Sequence, residues 1–309
     1  MKIRKRFIMI FFIIVALLFT GYFGARGIKL LFADRSWIAD FGYQKDEIHS
    51  LSFQLPGNRS CPDIPVLINE KEFKVGFDTG SGSRFSLTTA LEGKIDYDLL
   101  GRTEELNRDG SHRGWSNHVS IKSLNVFGEV FEGVKTNIAD WKLYASTKFN
   151  GIVGLKYFQS RVITLDYWGQ QIAVSNRPID ETKLDPEKYI ILPLHRSTSE
   201  GQEMLPFFQV EYDDKPVMAY LDTGKNYSFV YNPSCDISMS DLPSGFTDVP
   251  IKIGSREIIM KDVAQVNDLV QAEGLPYPTM IELNSDQIWR HGLVVTLDLI
   301  DQRIIFRMK

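Results

Sequence analysis

Cysteine is nearly missing from this chain: Cys61 and Cys235 are the only two in 309 residues. Two thiols are too few for a framework of several disulfides. They could pair with each other in an oxidising compartment, or be two separate small buried side chains, and the sequence leaves both readings open. Histidine is sparse too. His49, His112, His118, His195 and His291 are dispersed, without metal-ligand spacing, so neither a metal nor another cofactor is implied. There is no excess of positive charge. The net charge is −4, and no basic stripe with interleaved aromatics follows the N-terminus, which argues against nucleic-acid binding. Gly80-Ser-Gly-Ser83 lacks the Gly-Lys-Ser/Thr continuation of a phosphate loop, and no nucleophile elbow is present. Helical periodicity is scarce, with short candidates only at 88–91 and 285–290.

Long apolar runs are equally rare, with one exception. Lys2, Arg4, Lys5 and Arg6 precede 17 uncharged residues from Phe7 to Phe23. That length is at the short end of a bilayer span. Cleavage after Gly21 or Ala25 would put Phe19 or Phe23 where a signal peptidase wants a small residue. The segment therefore reads as an uncleaved anchor, residues 1–25, with the cations cytoplasmic and the rest outside. A cleaved signal is the alternative. Residues 26–47 read as a stalk, with Leu30, Leu31, Phe32 and Trp37 at the bilayer surface.

The remainder repeats itself. Val66 to Gly80 and Val210 to Gly224 each read as a strand hairpin closing on Asp-Thr-Gly, with Asp78 and Asp222 separated by 144 residues. Lys71 and Lys215 stand at equal distances before these aspartates, and Phe85 and Phe229 at equal distances after them. A second pair, Thr164 to Val174 and Thr296 to Phe306, shares five of 11 residues in the same order. Two matched pairs in one order imply two copies of one β-rich unit, residues 48–178 and 190–309. The charged stretch 179–189, with Pro186, links them. Asp166 and Asp298 correspond within the second pair and sit at hairpin turns, which suggests a structural role.

An aspartate followed by a small hydroxyl residue and glycine, straight after an apolar strand, presents a carboxylate in a tight loop. Two such loops, one per copy, can bring two carboxylates together to share a proton. One then acts as base towards a water and the other as acid towards a carbonyl.

In Phe77-Asp-Thr-Gly-Ser81, Gly151-Ile-Val-Gly154 and Leu221-Asp-Thr-Gly224 the chain resembles the pepsin/retropepsin superfamily of aspartic peptidases. It looks most like bacterial retropepsin-like proteins, duplicated within one chain. The resemblance covers roughly His49 to Lys309. It implies a mainly β fold of two pseudo-two-fold-related lobes behind an N-terminal transmembrane helix. It also implies a catalytic pair Asp78 and Asp222, supported by Thr79, Gly80, Ser81, Thr223 and Gly224. A hairpin around 107–118, with Gly110, Gly114 and Trp115, would close over substrate. The expected activity is that of a membrane-anchored endopeptidase, working as a monomer on polypeptides outside the cytoplasmic membrane, without cofactor. Two departures mark the second copy. Lys225 stands where Ser, Thr or Ala is usual, and would upset proton sharing if it pointed inward. Ile281-Glu-Leu-Asn-Ser-Asp286 replaces the Gly-Ile-Val-Gly element. The alternative is a non-catalytic module of the same fold that binds a peptide or a partner.

Overall fold

The computed structural model describes residues 33–53, 61–82, 85–106, 112–139, 150–238 and 245–308. The described residues are mostly β, in three sheets. The first carries β2 (Ser52–Phe53), β3 (Pro62–Ile68), β4 (Lys71–Phe77), β5 (Phe85–Thr88), β6 (Asp98–Leu106), β7 (His112–Val126), β8 (Glu129–Ala139) and β9 (Gly151–Val153). The second is a closed barrel of β13 (Phe207–Tyr212), β14 (Lys215–Asp222), β15 (Phe229–Tyr231), β16 (Phe246–Ile253), β17 (Arg256–Val266) and β18 (Thr279–Asn284). A six-stranded sheet joins them. It contains β1 (Ile48–Ser50), β10 (Val162–Asp166), β11 (Gln171–Ser175), β12 (Tyr189–Pro193), β19 (Val294–Asp298) and β20 (Arg303–Arg307).

The repeat in the sequence is a repeat in the pairing. β4 runs parallel to β9 as β14 does to β18. β5 lies antiparallel to β9 and parallel to β8, as β15 does to β18 and β17. β3 meets β7 as β13 meets β16, which closes each ring of strands. Closure pairs both edges of every strand within a ring, while β2 and β6 lie outside the first ring as edge strands. The hairpin entering each aspartate turns through two residues with positive φ. These are Asn69 and Glu70 at 49° and 68°, and Asp213 and Asp214 at 52° and 55°. Such turns match the twist of the strands they join, and Asn and Asp tolerate them better than most residues. Lys71 and Lys215 follow these turns and open β4 and β14.

The six-stranded sheet has the order β1-β11-β10-β19-β20-β12, with one hairpin from each copy at its centre. β10 and β19 are buried throughout and pair antiparallel about Thr164 and Thr296. Their hydroxyls are hydrogen-bonded at 2.7 Å, and Tyr43 adds its own hydroxyl to Thr164 at 2.8 Å. One apolar cluster includes Phe77 and Val153 of the first sheet, Leu221 and Leu283 of the barrel, and Leu165 and Leu297 of the joining sheet. Each such side chain contributes roughly 1.5–3 kcal/mol by leaving water.

The expected stalk is packed along its described part. α1 (Ser36–Asp40) places Trp37 against the joining sheet, fully buried, with its indole N–H donating to Asp166 Oδ2 at 3.0 Å. Trp37 is therefore a core residue, not a bilayer-surface one. An apolar ring with a buried acceptor for its N–H gains more there than at an interface. Leu30, Leu31, Phe32 and the apolar run Phe7–Phe23 lie outside the described residues. Among the described residues no helix is long and apolar enough to cross a membrane. The link 179–189 is also partly docked, through Ile179, Leu184 and Tyr189 against Val162 and Ile305. Of the two helices expected, the first is a 3-10 turn at Thr89–Leu91 and the second is α2 (Ser285–His291).

Candidate active site

β4 and β14 end buried, at Phe77 and at Leu221-Asp222, so each Asp-Thr-Gly loop starts inside the molecule. The parallel strand behind each loop fixes its level. The Asp78 amide donates to the carbonyl of Val153 at 3.0 Å, on the strand that carries Gly151 to Gly154.

The two loops hold each other through their threonines. Thr79 Oγ1 donates to the carbonyl of Leu221 at 2.6 Å and accepts from the Thr223 amide at 3.0 Å. Thr223 Oγ1 donates to the carbonyl of Phe77 at 2.6 Å and accepts from the Thr79 amide at 3.0 Å. Both threonines are fully buried. A hydroxyl is the only small group that can donate and accept here at once, which accounts for threonine at both positions. The glycines complete the approach. A methyl group on Gly80 would overlap the Asp222 carboxyl, and one on Gly224 would overlap the Asp78 carboxyl. Each carboxyl thus sits over the glycine of the opposite loop.

The two carboxyls are held differently. Asp78 accepts from the Gly80 amide at 3.0 Å, the Ser81 amide at 3.1 Å and the Ser81 hydroxyl at 2.8 Å. Asp222 accepts from the Gly224 amide at 2.8 Å and is buried. Burial pushes the Asp222 carboxyl well above the ordinary carboxylate range, and the negative charges of Asp78 and Glu282 push it further. Lys225 and the Gly224 amide act in the opposite sense. Lys225 is half-buried, with its ammonium 5.8 Å from the centre of the Phe229 ring and within electrostatic reach of Asp222 and Glu282.

Several neighbours were not legible as site residues. Register puts Asn284 level with Asp222, as Gly154 follows Val153 opposite Phe77. Asn284 accepts from the Ser228 hydroxyl at 3.0 Å, donates to the carbonyl of Lys225 at 3.2 Å and caps α2. Ser285 donates to the carbonyl of Thr223 at 3.3 Å and shares a 2.5 Å hydrogen bond with Tyr167. The second lobe thus braces its loop with side chains where the first uses close backbone packing. Cys61 and Cys235 are both free thiols. Cys61 lies close enough to the pair that Asp78 and Asp222, after burial, raise its proton affinity.

The residues expected to close over substrate lie on the long hairpin of β6 and β7. Gly114 pairs with Glu105 and Trp115 with Glu104. Trp115 is 42% exposed, with the Arg102 guanidinium 4.4 Å from its ring centre and the His112 ring tilted against it at 5.7 Å. Gly110 lies outside the described residues. The described ring partners of Trp115 belong to its own hairpin, not to the Asp-Thr-Gly loops. Asp166 and Asp298 are brought together with turns, not with the pair. Asp166 accepts from the Gly169 amide and Trp37, and Asp298 from the Asp301 amide and Arg303. No family model matches the chain, and no curated protein matches it.

Proposed function

We propose that this protein is an aspartic endopeptidase of the pepsin/retropepsin class, with two pseudo-two-fold-related lobes and Asp78 and Asp222 as its catalytic pair. The observation that carries the reading is the reciprocal lattice of Thr79 and Thr223, which sets each carboxyl over the other loop's glycine. Asp78, with three donors on its oxygens, is the carboxylate that takes a proton from water. Asp222, buried and with its proton affinity raised, is the acid that donates to the scissile carbonyl. The β6–β7 hairpin, with Gly114 and Trp115, covers the bound polypeptide. Phe7–Phe23 anchors the chain in the cytoplasmic membrane, with both lobes outside.

The full-length chain in detergent should cleave an unstructured polypeptide in the presence of a metal chelator. Asp78→Asn and Asp222→Asn should each cut the rate by at least about a hundredfold, because one carboxyl cannot be both base and acid. Unchanged cleavage in the double variant would sink the mechanism. A second reading has one observation in its favour. The charge of Lys225 weakens the hold of Asp222 on a proton, as a peptide-binding module without catalysis would tolerate. A folded wild type that binds peptides yet cleaves none from acid to alkaline pH would favour that reading.

A further inference from the structure

The strands behind the two loops differ at one level of the pairing. In the first lobe Gly76 of β4 faces Ile152 of β9, and in the second Tyr220 of β14 faces Glu282 of β18. Glu282 is fully buried in the middle of the barrel wall. Its Oε2 accepts from the Tyr220 hydroxyl, and its Oε1 has no hydrogen-bond partner among the described residues. Enclosing a carboxyl with one oxygen unpaired is unfavourable, and apolar Ile152 shows that the element does not need it. The groups facing Glu282 come from every neighbour. β14 supplies Tyr220 and, at its end, Asp222, while the next loop supplies Lys225. β15 supplies the Phe229 ring on which the Lys225 ammonium rests, and the first lobe's loop supplies Asp78.

We propose that Glu282 is a positioning residue for Asp222, a buried carboxyl whose charge opposes that of Lys225 and keeps the shared proton on the dyad. The inference rests on the peptidase reading and accounts for its most awkward residue. A lysine beside two carboxylates favours the doubly ionised pair, which cannot act as acid and base. A third carboxyl within reach of both reverses that bias once it is ionised. Burial raises Glu282 to about 7, with Asp78 adding to the rise while Lys225 and the Tyr220 hydroxyl limit it. Its negative charge therefore appears near neutrality, where it strengthens the hold of Asp222 on its proton.

The test is the pH profile of kcat/KM for the full-length chain. Glu282→Gln keeps an acceptor for Tyr220 and removes the charge. Its alkaline limb should move towards acid by about one pH unit, the scale of one nearby buried charge. Lys225→Met should move the same limb towards alkali, and the double variant should return close to wild type. A structural role alone would scale the rate at every pH and leave the limb in place, and that result overturns the proposal. Carboxyl carbon NMR of the labelled chain gives a second readout. Glu282 should titrate near neutrality, and Lys225→Met should move that titration towards alkali. If the wild type cleaves nothing, the peptidase reading fails while NMR still decides this one. A Glu282 resonance that titrates in the ordinary carboxylate range, or ignores Lys225→Met, overturns it. If Glu282→Gln does not fold, the Lys225→Met limb and the wild-type titration decide.

Discussion

The first lobe braces its aspartate loop with close backbone packing, and the second braces its loop with side chains. Behind Asp78 run Gly151 to Gly154, and a Cβ on Gly151 would meet the carbonyl oxygen of Ser86. Behind Asp222 run Glu282, Asn284 and Ser285, each with a polar partner in the loop or beside it. The same pairing scheme thus accepts two solutions, one close-packed and one hydrogen-bonded. They leave the carboxyls in unlike surroundings. Asp78 is partly exposed with three donors, and Asp222 is buried with one. A pair related by sequence need not be a pair of electrostatic equals, and acid–base work requires that they differ.

The comparison can be broken where the lobes are alike and sharpened where they differ. The threonines are alike, so Thr79→Val and Thr223→Val should cost the same. Each leaves a buried amide on the opposite loop and a buried carbonyl without a partner. A loss of about 2–5 kcal/mol in unfolding free energy is expected from two such groups. Costs differing by more than about 1 kcal/mol would mean that only one loop depends on the lattice.

Glu282 is where they differ, and its effect on stability has a definite sign. Its folded pKa is about 7, above the ordinary value of 4.5. Between those values the folded state holds a proton that the unfolded chain has released. That stabilisation is complete below about 4.5 and is lost as pH rises through about 7. Wild-type Tm should therefore fall from pH 5 to pH 8, and Glu282→Gln should flatten the fall. At pH 8 the variant should be the more stable by roughly 1–3 kcal/mol. Asp222, raised in the same direction, leaves a residual slope. Parallel Tm curves for the two proteins would contradict this account.

The smallest effect belongs to Ser81, whose hydroxyl donates to Asp78 and has no counterpart at Lys225. Ser81→Ala should cost about 1 kcal/mol in unfolding free energy, because both backbone donors to Asp78 remain. Equilibrium denaturation measures it, and a loss above about 3 kcal/mol would show that the hydroxyl organises the loop.

Much of this was legible in the chain. The paired Asp-Thr-Gly hairpins and the paired Thr-Leu-Asp hairpins gave the strand-for-strand repeat, because turn residues and strand alternation act locally. Glu282 was in view but not as a neighbour of Asp222. β18 lies between β14 and β15 with both faces covered, so alternation along Thr279–Asn284 does not say which side chain meets the loop. Register does, and register is a property of the folded pair. Trp37 misled for a related reason. An aromatic residue shortly after an apolar run resembles an interfacial anchor until its partner, Asp166, is found 129 residues away.

The seam between β10 and β19 has a further consequence. Residues displaced equally and oppositely from Thr164 and Thr296 face each other, which is the isologous contact of a symmetric dimer drawn inside one polypeptide. In a dimer made of separate halves, assembly of such a centre falls off as the protein is diluted. Here the link 179–189 makes the encounter intramolecular, at an effective concentration set by its length rather than by the amount of protein. The two Asp-Thr-Gly loops therefore remain opposite each other however scarce the molecule becomes.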